Sequence, residues 1–349
     1  TFAGLHLLNG NLGYITSAVS TSAVKALDIY SATLGSQDYL SVKVSGVLSA
    51  QRGALYWGTS EVTNAVTLEI ASNRGVEVFN FVSGYRASAI VSAINAVTDA
   101  TGVCATFICA TSWTSGIVFR SVDYGSDAFV SVRTLNDSTF DVFDNYTGGS
   151  QTQRDEGRDV VAVINGATTV GTGRELTLNT NSLDLRMMVD AQFGAGNQTT
   201  FTVTGGGAMF QLGPHINTSE QVNIGINSIA ASRLGTSELG FLSEVSTGGA
   251  YSLVSGNTAQ ATAIIEEAIK QISVLRGRLG AFEKNTLDTN MNALQITLEN
   301  VTASESSIRD ADFASETANL TRSQILVNAG TSVLAIANQT PQSVLALLQ

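Results

Sequence analysis

Between about residues 36 and 82 apolar and polar side chains alternate, in DYLSVKVSG (38–46), ALYWGT (54–59), NAVTLEIAS (64–72) and GVEVFNFVSG (75–84), with Gly, Asn and Ser between the runs. A period of two is the pattern of a half-buried strand. The period then changes. From Arg86 to Ala100, Ile90, Ile94 and Val97 recur at helical spacing and the pattern stops near Gly102, after which VCATFICAT (103–111) resumes a strand. This predicts one helix packed on sheet, an α+β module. Strand-like runs continue in IVFRS (117–121) and AFVSVRTL (128–135), and after a loop at 147–157 in DVVAVING, ELTLNT, SLDLRMMV, TTFTVTGGGAMFQLG and VNIGINSI. The middle of the chain therefore reads as mostly β.

Past Gly256 the period becomes helical and stays so. Ile265, Ala268, Ile272, Leu275, Leu279 and Phe282 recur three and four apart, as do Leu287, Met291, Leu294, Leu298 and Val301, with Gly277 and Gly280 as weak points. A stripe of almost forty residues is longer than ordinary globular helices and points to a coiled coil or bundle, which needs a partner helix. Residues 1–260 offer no comparable helix. A second helical run begins after a capped break at Ser307, covers Ala314–Asn338, and is expected to be interrupted by Pro341 before SVLALLQ closes the chain. Its apolar side chains must pack or aggregate, so this end reads as an assembly surface. The side chains expected at the innermost contacts are Ile325, Leu326, Val333, Leu334, Ile336, Leu345 and Leu348. The competing reading is a helical hairpin buried within one monomer.

Composition narrows the function classes. The 349 residues are long enough for two or three domains. Hydrophobic residues make up 44% but charged residues only 13%, with 33 Gly. Such a chain folds and carries uncharged polar surfaces. A formal net charge of -11 argues against phosphate-backbone binding, which needs clustered Lys and Arg. No eighteen-residue apolar stretch and no signal-peptide pattern stands out, so no membrane partner is expected. Because the chain begins at Thr1, the expectation is that an upstream segment has been processed away or left out.

Candidate chemistry is sparse. His6 and His215 have no acidic or cysteine neighbour at ligand spacing, so neither hydrolysis nor metal binding is expected, and His215 reads as a surface residue. Cys104 and Cys109, five apart in a β pattern, fall on opposite faces and read as buried small hydrophobes that do not bond to each other. Gly205-Gly206-Gly207 lacks the Lys-Ser/Thr pair of a phosphate loop and reads as a turn. Asp123, Asp127, Asp137, Asp141 and Asp144 lack calcium-loop spacing. No cofactor and no enzymatic activity are expected. Asp310 and Asp312 suit the first turn of the last helix. Arg276, Arg278, Glu283 and Lys284 suit either contacts between subunits or solvated faces.

Ser306–Gln349, SSIRDADFASETANLTRSQILVNAGTSVLAIANQTPQSVLALLQ, closely resembles the C-terminus of bacterial flagellins, and Ala268–Ser306 resembles the helix before it. GYRASAIVSAINAVTDATGVCA (84–105) resembles an insert motif of the outer domains of flagellins and hook-associated proteins. TFAGLHLLNG at the start resembles the segment after the family's N-terminal helices, and GGGAMFQLG (205–213) its return to the core. The resemblance implies an α+β fold in which β-rich outer domains are inserted in a flagellin-type helical core with long C-terminal coiled-coil-like helices. It divides the chain into the end of an N-terminal core segment (1–21), variable β-rich outer domains with one helix near 86–100 (22–195), a return to the core by β-hairpin and loops (196–256), a C-terminal core helix (257–303) and an innermost C-terminal helix (304–349). No flagellin-type N-terminal helix precedes Thr1, so the chain is expected to be a flagellin lacking those helices.

In function, the resemblance implies a structural subunit of the flagellar filament, secreted by type III export and polymerising through terminal helices for motility, outside the cell. Its partners would be other flagellin subunits, hook-associated and cap proteins and an export chaperone, with no nucleic acid and no membrane. The core stripe would be Ile265, Ile272, Leu275, Leu279, Phe282, Leu287, Met291, Leu294 and Leu298, with Arg309 either bracing a switching joint or lying at a helix start. Because some flagellins are O-glycosylated, Ser112, Thr114, Ser115, Thr147 and Ser150 are candidate sugar-attachment points, bare solvated loops being the alternative. Two other readings stay open: a polysaccharide- or host-binding adhesin-like homologue, favoured by a groove lined by Trp57, Tyr85, Trp113 and Tyr124, and a hook–filament junction protein.

Overall fold

The computed structural model describes residues 8–34, 39–136, 139–213, 220–310 and 312–347. His6, Pro214, His215, Asp137 and Leu348 lie outside the described residues, as does the side chain of Trp113. The chain divides into two compact units, residues 1–279 and 280–349.

The first unit holds two β bodies, one inserted in the other. The chain opens with β1 (Tyr14–Ser17), β2 (Val24–Ala32) and β3 (Leu40–Leu48) and leaves the first body. It then builds the second from β4 (Ala54–Trp57), β5 (Val66–Ala71), β6 (Val76–Phe81), α1 (Ala87–Asn95), α2 (Thr98–Thr101), β7 (Val103–Cys109), β8 (Ser112–Ser121), β9 (Phe129–Thr134) and β10 (Arg154–Glu156). The return to the first body adds β11 (Val161–Ile164), β12 (Ala167–Val170), β13 (Glu175–Asn179), β14 (Leu183–Val189) and β15 (Gln198–Gly206). Every pairing among these strands is antiparallel.

In the first body a five-stranded sheet, β1-β15-β3-β11-β12, and a three-stranded sheet, β13-β14-β2, share a core that includes Val42, Val44, Ile164, Leu176, Leu185, Met187 and Phe201. In the second, the sheets β10-β9-β5-β6 and β4-β8-β7 enclose Leu55, Leu68, Ile70, Phe119 and Val130, and α1 adds Ile90 and Ile94. The alternation read in the sequence is the alternation between these cores and water. In β5, Val66, Leu68 and Ile70 are buried while Thr67, Glu69 and Ala71 are not. The helix expected near 86–100 is two pieces, broken where Val97 leaves the helical backbone (φ -121°), and just before the break the Asn95 side-chain amide takes up the backbone N–H and C=O of Ala105 at 2.8 and 2.9 Å. The chain turns at that point, and Gly102 ends the second piece with a left-handed backbone, φ +71°.

The crossing between the bodies is closely fitted. Gln51 bridges Arg158, and the guanidinium groups of Arg52 and Arg174 both lie over the Tyr124 ring, at 4.4 and 4.9 Å from its centroid. Gly125 has φ +108°, and a Cβ there would come within 2.8 Å of the Gly173 Cα, so only glycine fits. The Asp159 carboxylate accepts hydrogen bonds from the hydroxyl and N–H of Ser126 and the N–H of Gly173, at 2.5, 3.2 and 2.7 Å. Burial pushes its pKa up, but these donors outweigh burial and hold it below the usual carboxylate range.

Beyond the bodies come two small ribbons, β16 (Ala208–Gln211) with β17 (Gln221–Ile224), and β18 (Gly235–Thr236) with β19 (Gly240–Phe241). Helix α3 (Thr258–Phe282) follows, then a π-helical segment at Glu283–Asp288, α4 (Thr289–Arg309) and α5 (Phe313–Leu347). Two sequence expectations change here. Pro341 does not interrupt α5 but lies within it. Its fixed φ suits a helix, and the Ala337 carbonyl it leaves without a donor is on an exposed residue where water can serve. The break before α5 is capped by Asp312 rather than Ser307: α4 runs through Ser307 to Arg309, and the Asp312 carboxylate accepts from the N–H groups of Ala314 and Ser315 at 2.9 and 3.3 Å.

Candidate assembly surface

In the second unit apolar side chains face outward. Of the residues expected at innermost contacts, Ile325, Leu326, Val333, Leu334, Ile336 and Leu345 lie on α5 and are each between 61% and 66% exposed. Met291, Leu294, Leu298 and Val301 on α4 are exposed as well, whereas Phe282 and Leu287 are half-buried. Burying one such side chain is worth about 1.5–3 kcal/mol, and contiguous exposed patches of this kind mark interaction sites. Arg309 pairs with Glu305 one turn earlier at 2.9 Å, both side chains exposed.

In the first unit α3 is docked. Ala261, Ile264 and Ala268 are buried, and Ile272, Leu275 and Leu279 are half-buried. Ile265, assigned to the stripe from its spacing, is 37% exposed, while its neighbour Ile264 is fully buried. The helical phase is set by the surface beneath the helix, and two adjacent isoleucines leave it undetermined in the sequence.

Beside that apolar contact lies a charge cluster. Arg186 on β14 meets Glu175 of β13 at 2.6 Å, Glu267 of α3 at 3.1 Å and Asp28 of β2 at 3.8 Å, and Lys270 adds a second cation to Glu175 at 3.1 Å. The Gln271 side chain accepts from the Gly235 N–H and donates to its carbonyl, both at 3.0 Å. Arg278 pairs with Asp184, its guanidinium 3.5 Å from the Tyr30 ring centroid. This is a partner inside the unit, instead of the subunit contact or solvated face expected from sequence.

The carboxyl groups around Arg186 respond according to distance. Burial pushes Glu175 up, but Arg186 and Lys270 outweigh it and hold the group below the usual range. At Asp28 burial wins over the more distant Arg186, and the nearby Glu267 and Glu175 charges reinforce it, so the carboxyl is raised. Burial alone would lower Arg186, but Glu175 and Glu267 hold its guanidinium above the ordinary value. A cleft of about 510 Å³ adjoins this joint, lined among others by Tyr14, Lys25, Asp28, Arg233 and Gln271.

Other sequence candidates are scattered. Ser112, Thr114 and Ser115 belong to β8, where Ser112 and Thr114 hydroxyls bond each other at 2.8 Å and the Ser115 hydroxyl donates to the Ser112 carbonyl at 2.6 Å. Thr147 is exposed in a turn and Ser150 is exposed just after it. Trp57 is buried and stacked on Phe140 at 4.5 Å, so it is a core residue, and the Tyr124 ring carries the guanidinium groups of Arg52 and Arg174. Cys104 is half-buried but Cys109 is exposed beside the β7–β8 turn, correcting the expectation that both are buried. Among the described residues no group of three or more His, Cys, Asp or Glu could hold a metal ion, and no helix is long and apolar enough to cross a membrane.

Comparison with known proteins centres on the helices. The profile of the bacterial flagellin C-terminal helical region matches residues 262–348. Flagellin A of Vibrio cholerae is 48% identical over 94 residues, 27% of this chain and 24% of that protein. A flagellin of Salmonella typhimurium is 37% identical over 156 residues, 44% of this chain and 30% of that one. The chain thus spans about a quarter to a third of the length of such relatives. Among solved structures, the D2-D3 domains of the Escherichia coli flagellar cap protein FliD align over 55% of this chain and 100% of theirs at 16% identity, with a TM-score of 0.38. The helical match is continuous through the outward-facing residues of α4 and α5, so this C-terminal quarter of the chain is similar to the flagellin C-terminal helical region.

Proposed function

We propose that this protein is a structural, non-catalytic component of the external axial part of the bacterial flagellum, and that it assembles by covering the apolar faces of α4 and α5 with helices of neighbouring subunits. The observation that carries the reading is the outward exposure of Ile325, Leu326, Val333, Leu334 and Ile336 in a segment that matches the flagellin C-terminal region. A face of that kind gains little in a monomer and a great deal in a polymer. Growth requires contacts that do not close on themselves, so the surface must meet a different surface on the next subunit. Arg309 and Leu348 belong to this surface in the proposal. The β bodies, poor in charge and rich in Ser, Thr and Gly, form the part exposed to the medium, where Thr147 and Ser150 are the hydroxyls best placed for sugar attachment. Other flagellin subunits, hook-associated and cap proteins and an export chaperone are the partners this reading carries.

A second reading places the protein at one position on the flagellum, as a junction component or a surface-binding homologue, instead of along the filament. It is favoured by the inserted body, which has a core of its own and contains the 84–105 segment that resembles the insert of hook-associated proteins. Immunogold electron microscopy of flagella from the source cell separates the two. Label along the whole filament supports the first reading, and label confined to a base or tip supports the second. Replacing the gene with a Leu334→Ser, Ile336→Ser variant is expected to remove the protein from the flagellum. Normal incorporation of that variant would sink the assembly mechanism in both readings.

A further inference from the structure

The apolar positions of the second unit contain one irregular step. From Phe282 the intervals to Leu287, Met291, Leu294, Leu298 and Val301 are 5, 4, 3, 4 and 3 residues. An α-helix turns about 100° per residue, so intervals of three and four keep one stripe, whereas an interval of five leaves Leu287 about 140° away from Phe282.

The backbone departs from the α form over this interval. Glu283–Asp288 is π-helical, with ordinary α backbone at Phe282 and Thr289 on either side. The Thr289 hydroxyl donates five residues back, to the Lys284 carbonyl at 3.5 Å, whereas Thr297 and Thr302 in regular α4 each reach four residues back at 2.8 Å. Neither Gly nor Pro occurs between Ala281 and Asn300, so the usual causes of a helix irregularity are missing there. Phe282 and Leu287 are both half-buried in a segment where Met291 to Val301 are exposed.

We infer that the π turn is a phase-correcting joint: it takes up one extra residue between Phe282 and Leu287, and so keeps the apolar stripe on one side of the helix up to Val301. A π turn closes its hydrogen bond over one residue more than an α turn, which is the excess the five-residue interval carries. The gain is a single face for neighbouring helices to cover, and in that respect the inference rests on the assembly reading. The cost is a turn with weaker hydrogen bonding than the α-helix around it.

Deleting Asn285 from the full chain makes the interval four, so a plain α-helix then keeps the stripe without any π turn. Deleting Ala293 instead makes the Met291–Leu294 interval two and throws the distal residues to the other side. Hydrogen exchange of the 284–289 amides is expected to slow severalfold in the Asn285 deletion, with helical ellipticity kept. Exchange as fast as in the parent chain, or a π turn that persists after the deletion, would overturn the inference whether or not the protein assembles. In the source cell the Asn285 deletion is expected to be incorporated into flagella and the Ala293 deletion excluded. Equal exclusion of both also overturns the joint, while incorporation of the Ala293 deletion together with slowed exchange in the Asn285 deletion leaves the joint standing and sinks the assembly reading.

Discussion

The β bodies and the C-terminal helices use the same kinds of side chain in opposite ways. Leu185, Met187, Phe201 and Ile164 are fully buried, whereas Leu326, Leu334, Met291 and Ile336 are each more than 60% exposed. Each body encloses a hydrophobic core of its own, whereas the α4 and α5 faces leave their apolar side chains exposed, to be covered by another molecule under the proposed function. Substitutions in the two regions should therefore separate stability from assembly.

The largest effect is expected from Phe201→Ala, which should cost about 3–5 kcal/mol in chemical denaturation of the first unit, because a fully buried ring leaves a cavity. A loss under 1 kcal/mol would mean that the first body is not the rigid half of the comparison. Next comes Arg186→Ala, expected to cost roughly 3 kcal/mol near neutral pH by stranding Glu175, Glu267 and Asp28.

This effect should depend on pH with opposite signs from two groups. Glu175 is depressed in the folded state, so its contribution is present above the unfolded carboxylate pKa and is lost as pH falls through the lower folded value. Asp28 is raised, so its burial penalty fades as pH falls through its folded pKa. Asp28→Asn should accordingly leave neutral-pH stability unchanged or higher and bring the variant and parent together in acid. A variant that is weaker than the parent at every pH would refute the assignment.

Asp312→Ala should remove about 1 kcal/mol of capping from α5, read as fraying of the 313–316 amides in hydrogen exchange. The smallest effect on the monomer, within about 0.5 kcal/mol, is expected from Leu334→Ser on the exposed face. That same change is predicted to have the greatest effect on incorporation into flagella. A Leu334→Ser chain that unfolds readily would show instead that α5 is packed within the monomer.

Much of the fold was legible in residue order. Alternation marked β3 to β5 because each of these strands has one face on a core, and the three-and-four spacing marked α3 and α4 because a helix presents one stripe. The outward apolar residues of α5 were also legible, since so dense a run has nowhere to hide in a single helix. What could not be read was long-range. Asp28, Glu175, Arg186, Glu267 and Lys270 are ordinary charged residues scattered over more than two hundred positions, and only the pairing of β2, β13 and β14 beneath α3 assembles them. The preference for Ile264 over Ile265, the helix continuing through Pro341 and the stop at Asn95 depend likewise on what each residue touches.

Local periodicity, turn residues and the family-like C-terminal segment determined by themselves which stretches are strand, which are helix, and that the last helices carry an unsatisfied apolar surface. Tertiary structure decided how the middle divides into two nested cores, which face of α3 is buried, and where charge fixes that helix. Periodicity depends on a residue and its near neighbours, but packing and ion pairing depend on distances between segments, and those exist only once the chain has closed on itself.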